Sequence, residues 1–151
     1  MNVRIWAPLV ALGLACVAAA ADPMPPVHDA MKLVFDQEKA WNRGDLAGFM
    51  AGYWKSPELT FVSGGKVTRG WDATMERYQK RYQAEGKEMG KLAFSDTTGR
   101  QVSDAFYIIT GRWELTLSKS PDKPGGRFTL FIEKKPEGWR VTYDHTSADD
   151  K

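Results

Sequence analysis

Cysteine is almost absent from this chain. Among 151 residues there is one, Cys16, and it lies inside an N-terminal apolar run. If that run is removed on export, no disulfide can form even in an oxidising compartment, and the fold must stand on packing alone. Histidine is nearly as scarce. His28 and His145 are the only two, and no metal-ligand spacing can be built from them without cysteine. Neither a metal nor another cofactor is therefore expected. Charge of one sign is also lacking: 21 Lys and Arg against 19 Asp and Glu leave a formal net charge of +2. That balance excludes the basic footprint of a nucleic-acid-binding protein. Gly64-Gly65 lacks the Lys-Ser/Thr that follows in a phosphate-binding loop. No Ser-His-Asp order can be defended, because Asp144 and His145 are neighbours and should point to opposite faces of a strand.

What the chain does have begins with an export signature. Arg4 gives a short positive start, Ile5 to Val17 is almost wholly apolar, and Ala18 to Ala21 supplies small residues for cleavage. The run is shorter than the roughly 20 residues of a membrane-spanning helix. Residues 1–21 therefore read as a signal peptide and residues 22–151 as one domain, periplasmic or secreted, starting at Ala21 or Asp22 and free of the membrane after cleavage. Two other readings of the segment stay open. One is an uncleaved anchor. The other is lipid attachment at Cys16, since Leu14-Ala15-Cys16 faintly resembles a bacterial lipoprotein box, with Gly13 where a larger aliphatic residue is usual.

Beyond a short proline-rich leader, periodicity divides the chain into helices followed by strands. Ala30, Leu33, Val34, Gln37 and Trp41 form one stripe of a helix over 27–42. Gly44 stops it, and Asp45 can cap a second helix carrying Leu46, Phe49, Met50, Tyr53 and Trp54 on one face. Ser56-Pro57 ends that helix. Residues 59–63 and 66–69 read as a hairpin through Gly64-Gly65. A third helix follows Gly70, with Trp71, Met75, Tyr78 and Tyr82 on its apolar stripe, fading at Gly86. From Lys91 the period changes to two, giving strands near 92–98, 101–117, 127–135 and 139–146. Helices followed by an antiparallel sheet indicate an α+β domain.

The register of the last strands decides which side chains face inward, since a slip of one residue reverses them all. With Glu137-Gly138 as a two-residue loop, Ile132 faces Tyr143 and Leu130 faces His145. Phe128, Leu130 and Ile132 then share an apolar face with Trp139, Val141, Tyr143 and His145, and Trp113, Leu115 and Leu117 join them. The opposite face carries Arg112, Glu114, Arg127, Thr129, Glu133, Arg140, Thr142 and Asp144, interrupted by Phe106, Ile108 and Phe131. Such a mixed face suits a subunit contact. If the loop at 118–126 places Trp113 beside Ile132, Arg112 and Glu133 come opposite each other on the outer face and read as a surface or interface ion pair.

The stretch AWNRGDLAGFMAGYWKSPELTFVSGGKVTRGWDATMERY, residues 40–78, resembles the opening of an NTF2-like domain of the SnoaL/DUF4440 type. The ending GRFTLFIEKKPEGWRVTYDHTS, residues 126–147, resembles that family's last hairpin. The resemblance implies a cone: a strongly curved antiparallel sheet wrapped around three helices, with a pocket between them, often dimeric through the sheet. It leaves function open, since this fold hosts isomerases, dehydratases, cyclases and assembly domains. Ketosteroid isomerases share the helix-Gly-Asp opening and the strand after it. Their catalytic carboxylate falls at Ser63 here, and their oxyanion-donating tyrosine at Gln37. A serine cannot serve as that base, and an amide is a weaker donor than a phenol. The comparison argues against standard ketosteroid isomerase chemistry.

The inward register makes His145 the candidate acid/base, against the plainer reading of a core histidine hydrogen-bonded to Tyr53, Tyr78 or backbone. The expected pocket is lined by Tyr78, Trp113, Tyr143 and His145, with Gln37 and Ser63 at its mouth or floor. An ordinary aromatic core is the alternative. Two function classes follow. One is an exported module that binds a small apolar molecule or serves in assembly, expected to be a homodimer. The other is a small-molecule enzyme using His145 with Tyr143 or Ser63. The lack of an inward carboxylate on this register favours the first.

Overall fold

A computed structural model describes residues 27–149. The expected signal peptide and proline-rich leader lie outside the described residues. The first helix, α1 (Val27–Asn42), buries the anticipated stripe, with Ala30, Val34, Gln37 and Trp41 all removed from water. It stops where Gly44 turns with a φ of 78° and donates to the Trp41 carbonyl at 2.8 Å, a left-handed position that glycine takes without steric cost. Asp45 then caps α2 (Leu46–Met50) by accepting from the Gly48 amide at 2.7 Å.

Helix α2 is shorter than its apolar pattern predicts. Tyr53 and Trp54 are not helical. The Trp54 amide donates to the Val141 carbonyl and the Val141 amide to the Gly52 carbonyl, each at 2.9 Å, so Tyr53 forms a parallel bridge with the sheet. Backbone pairing with the last strand overrides the local helical period, and Tyr53 remains buried.

The hairpin β1 (Thr60–Ser63) and β2 (Lys66–Arg69) turns at Gly64-Gly65. Helix α3 (Trp71–Tyr82) follows. Then come β3 (Lys91–Ser103), β4 (Phe106–Thr116), β5 (Gly125–Lys135) and β6 (Gly138–Thr146). The six strands form one curved, unclosed sheet in the order β2-β1-β6-β5-β4-β3. The sheet is mixed rather than antiparallel throughout, because β1 runs parallel to β6. The break expected between residues 98 and 101 is absent: β3 runs on to Ser103, and the hairpin turns at Asp104-Ala105. Two register shifts along β3, the first at Asp96 with its φ of 50°, bend these long strands. The concave face packs on the helices as an α+β cone. Its core holds Tyr107, Ile109, Leu115, Phe128, Leu130, Ile132, Trp139 and Val141.

The β5–β6 register departs from the sequence reading in a way that matters for the site. Lys135 faces Gly138 and Ile132 faces Val141, so the two-residue loop is Pro136-Glu137. Between Val141 and Tyr143 the ladder then skips Thr142, and Phe131 faces Tyr143. This β-bulge inserts one residue into β6 and reverses the alternation beyond it. Trp139 and Val141 point inward as expected. After the bulge Asp144 points inward, while Tyr143 and His145 point out. Arg112 and Glu133 are not partners either: Arg112 faces Arg127 and bonds Asp149, and Glu133 pairs with Lys135 and Thr142.

Deleting Thr142 removes the surplus residue and leaves Val141 and Asp144 inward with Tyr143 opposite Phe131, so the variant is expected to keep the inward carboxylate and to unfold cooperatively. Thr142→Ala keeps the residue count and loses the hydroxyl's 2.9 Å bond to Glu133, so it should cost only about 1 kcal/mol. Urea denaturation of the two variants separates these effects. Loss of cooperative unfolding on deleting Thr142 would show that this residue is not the one the bulge absorbs.

Candidate functional site

The concave face of the sheet and the three helices enclose a cavity of about 360 Å³. Its wall is mostly rings. Trp41 meets Tyr82 at 4.8 Å and Tyr78 at 6.0 Å between centroids, and Tyr78 lies 5.4 Å from Phe49 and 5.5 Å from Phe61. Across the cavity Phe94 contacts Phe128 at 5.1 Å, and Leu92, Leu115 and Leu130 complete the apolar surface. The aromatic stripe of α3 faces the sheet because Trp71 anchors that helix: its indole donates to the Met50 carbonyl at 2.9 Å.

Among the described residues one carboxylate faces this cavity. Asp144 is only 2% exposed, and its two oxygens are held separately. The Tyr53 hydroxyl donates to Oδ2 at 2.7 Å and the Thr146 hydroxyl to Oδ1 at 2.8 Å. Burial disfavours the charged carboxylate and raises its pKa to about 6, although both hydrogen bonds and the neighbouring His145 pull the other way. Tyr53 and Tyr78 are pushed well up, first by burial and then by the Asp144 charge. Both phenols therefore stay protonated near neutrality and can donate hydrogen bonds. The arrangement is a proton acceptor that titrates near neutral pH beside fixed donors, in a largely apolar cavity.

The mouth is cationic. Lys66, Arg77 and Arg81 line it with Ser63 and Gly64. Ser147 and Ala148, just after β6, edge the cavity near Trp113, whose indole donates to the Ser147 carbonyl at 2.9 Å.

Of the residues expected at the site, Gln37, Ser63, Tyr78 and Trp113 line this cavity. Gln37 is buried and spends its amide N–H on the Phe49 carbonyl at 3.1 Å. Tyr143 and His145 are elsewhere. Tyr143 stacks on Phe131, ring centroids 5.0 Å apart, on the outer face of the sheet. His145 is exposed on that face and makes no side-chain hydrogen bond among the described residues. The bulge at Thr142 places both outside, so His145 cannot be the acid or base of a reaction in the cone. Asp144 was missed for the same reason, and Tyr53 was anticipated only as a possible partner of His145. The signal that existed was Phe131: an outward aromatic on β5 calls for a cross-strand partner, and Tyr143 fills that place only if it too faces outward.

Comparisons with known proteins bear on the fold. The chain is similar to a solved NTF2-like protein of unknown function from Shewanella oneidensis MR-1. The two are 39% identical, with a TM-score of 0.75, over 82% of this chain and 99% of that one. It is also similar to a ketosteroid isomerase-like protein from Erwinia carotovora atroseptica, 16% identical with a TM-score of 0.67 over 82% and 96% of the two chains. A third is an NTF2-like superfamily protein from Salmonella enterica serovar Typhimurium, 18% identical with a TM-score of 0.65 over 82% and 91%. No family model matches the sequence, and no curated protein matches it.

Asp144→Asn keeps an acceptor for Tyr53 and removes the titration. A folded-state pKa raised from 3.8 to about 6 means that native Asp144 holds its proton more tightly than the unfolded chain does. Its contribution to stability is therefore fully present below pH 3.8 and is lost as pH rises through about 6. The Asn variant should match the wild type near pH 4 and exceed it by about 2 kcal/mol at pH 8, in urea melts at the two pH values. An Asn variant less stable than wild type at pH 8 would show that the charged carboxylate is not penalised by burial.

Proposed function

We propose that this chain, which belongs to the NTF2-like family, is an exported binding protein for a small molecule with an apolar body and a hydrogen-bonding group. The ring-lined cone receives the body, and Tyr53 and Asp144 at the floor meet the polar group. The observation that carries this reading is the buried Tyr53–Asp144 pair opening onto an otherwise apolar cavity. A core built only for stability would fill that space with side chains, because a buried carboxylate opposes folding unless fully compensated. In this reading the chain works as a homodimer through the outer face, where Phe106, Ile108, Phe131 and Tyr143 gather.

A second reading, an acid/base enzyme, draws on one specific observation: a buried carboxylate bonded to Tyr53 faces the cavity, and its burial raises its pKa to about 6. At neutral pH most Asp144 is ionised and can take a proton from a carbon acidified by a neighbouring carbonyl, and the protonated form can return it. Such an isomerisation would not use the positions at which ketosteroid isomerases carry their base and their tyrosine donor, since Ser63 and Gln37 stand there.

The test is fluorescence titration with N-phenyl-1-naphthylamine, a neutral apolar probe. The wild type is expected to bind it at one saturable site, and Ser63→Trp, which places a large ring at the mouth, should abolish binding while leaving the fold intact. Absence of saturable binding, or binding indifferent to Ser63→Trp, would remove the cavity as the ligand site.

A further inference from the structure

The cavity's charges are segregated. Of the described residues that line it, Asp144 is the one acid and it sits at the floor, whereas Lys66, Arg77 and Arg81 are the cations and stand at the mouth. Geometry brings these three together. Arg77 and Arg81 are four residues apart on α3, hence on one face of the helix. Lys66 and Thr68 are two apart on β2, hence on one face of the strand. The Arg77 guanidinium donates to the Thr68 hydroxyl and to the Ser63 carbonyl, each at 2.9 Å, which ties the helix pair to the strand residue.

None of the three has a carboxylate partner among the described residues, although eight ion pairs form elsewhere on that part of the chain. What holds them is neutral. Arg77 lies over the Phe61 ring at 4.9 Å, and Arg81 lies over the Tyr82 ring at 5.5 Å and donates to its hydroxyl at 3.1 Å. Those rings are themselves cavity wall. A guanidinium has five N–H donors. The two protein bonds of Arg77 leave three unused, and the one bond of Arg81 leaves four. The planar fork matches the paired oxygens of an oxyanion, and stacking on a ring fixes its plane in advance.

We infer that the ligand of this cone is an amphipathic organic acid, whose oxyanion is held at the mouth by Lys66, Arg77 and Arg81 while its apolar body lies among the rings. This rests on the cavity being the binding site, and it adds the ligand's charge and its orientation. An anionic head cannot lead the way in, since the ionised Asp144 faces it from the floor. The end opposite the oxyanion, carrying the neutral hydrogen-bonding group, enters first to meet Tyr53 and Asp144, and the charged head stays with the cations.

Two probes of nearly one skeleton separate the two ideas: 8-anilinonaphthalene-1-sulfonate, which carries an oxyanion, and neutral N-phenyl-1-naphthylamine. In the full chain at pH 7.5 and low salt they should displace one another from one site. The double variant Lys66→Gln/Arg81→Gln removes two exposed charges from the mouth. It should weaken the sulfonate roughly fivefold or more and leave the neutral probe within about twofold. Arg77→Lys keeps the charge and loses the fork, and should weaken only the sulfonate. Because Arg77 also braces Ser63 and Thr68, unchanged binding of the neutral probe serves as the check that each variant is folded. Added salt should weaken the sulfonate alone. If both probes bind and the variants treat them alike, the charged mouth does not select an acid and the inference falls, with the cavity reading intact. If neither probe binds the wild type, both fall together.

Discussion

Thr142 is one residue more than β5 can match, and the site depends on the bulge that absorbs it. Up to Val141 the last strand alternates as its composition predicts, with Trp139 and Val141 packed against Tyr107 and Ile132 in the core. Past the bulge the alternation reverses, and a carboxylate takes the inward place that strict alternation would give to a tyrosine. The consequences run in both directions from the strand. Inward, Asp144 meets the hydroxyl of Tyr53, itself drawn onto β6 by backbone bonds to Val141. Outward, Tyr143 stacks on Phe131 and thickens the apolar patch begun by Phe106.

The same strand therefore serves stability in its first half and function in its second. Burying Asp144 opposes folding, and its two hydrogen bonds offset only part of the desolvation, which is why the pKa remains raised. A hydrophobic residue there would pack without that cost. The apolar half of β6, buried in the core and paired with β5 on one side and bridged by Tyr53 on the other, supplies the packing against which the polar half is held. The cationic mouth adds a second polarity at the far end of the cavity. Between the two ends lie rings, so the cavity offers hydrogen bonds and charge at its extremities and contact area along its length.

Much of the fold was legible in the sequence because it is written locally. Helix α1 follows directly from its stripe and from Gly44, the β1–β2 hairpin from Gly64-Gly65, α3 from its aromatic face, and the cone from the resemblance carried by residues 40–78 and 126–147. Four of the anticipated lining residues, Gln37, Ser63, Tyr78 and Trp113, do lie on the cavity. What failed was non-local. Tyr53 and Trp54 fit a helical period, but strand pairing with β6 claimed their backbone. The β3–β4 turn moved to Asp104-Ala105 because register shifts let β3 run through the glycine at 99. The bulge at Thr142 has no signature in its own neighbours. Only the needs of the facing strand, where Phe131 already points outward, would have exposed it, and a pattern read one strand at a time carried the wrong parity on to His145.

The carboxylate of Asp144 lies in the low-dielectric floor of the cone. Carbon-detected NMR titration of the side-chain carboxyls tests this placement most directly. Asp144 should titrate with a midpoint of about 6, and its protonation should perturb the ring signals of Tyr53 and Tyr78. A midpoint near 3.8, the ordinary value for an aspartate, with no response from those tyrosines, would put Asp144 in solvent and contradict the account.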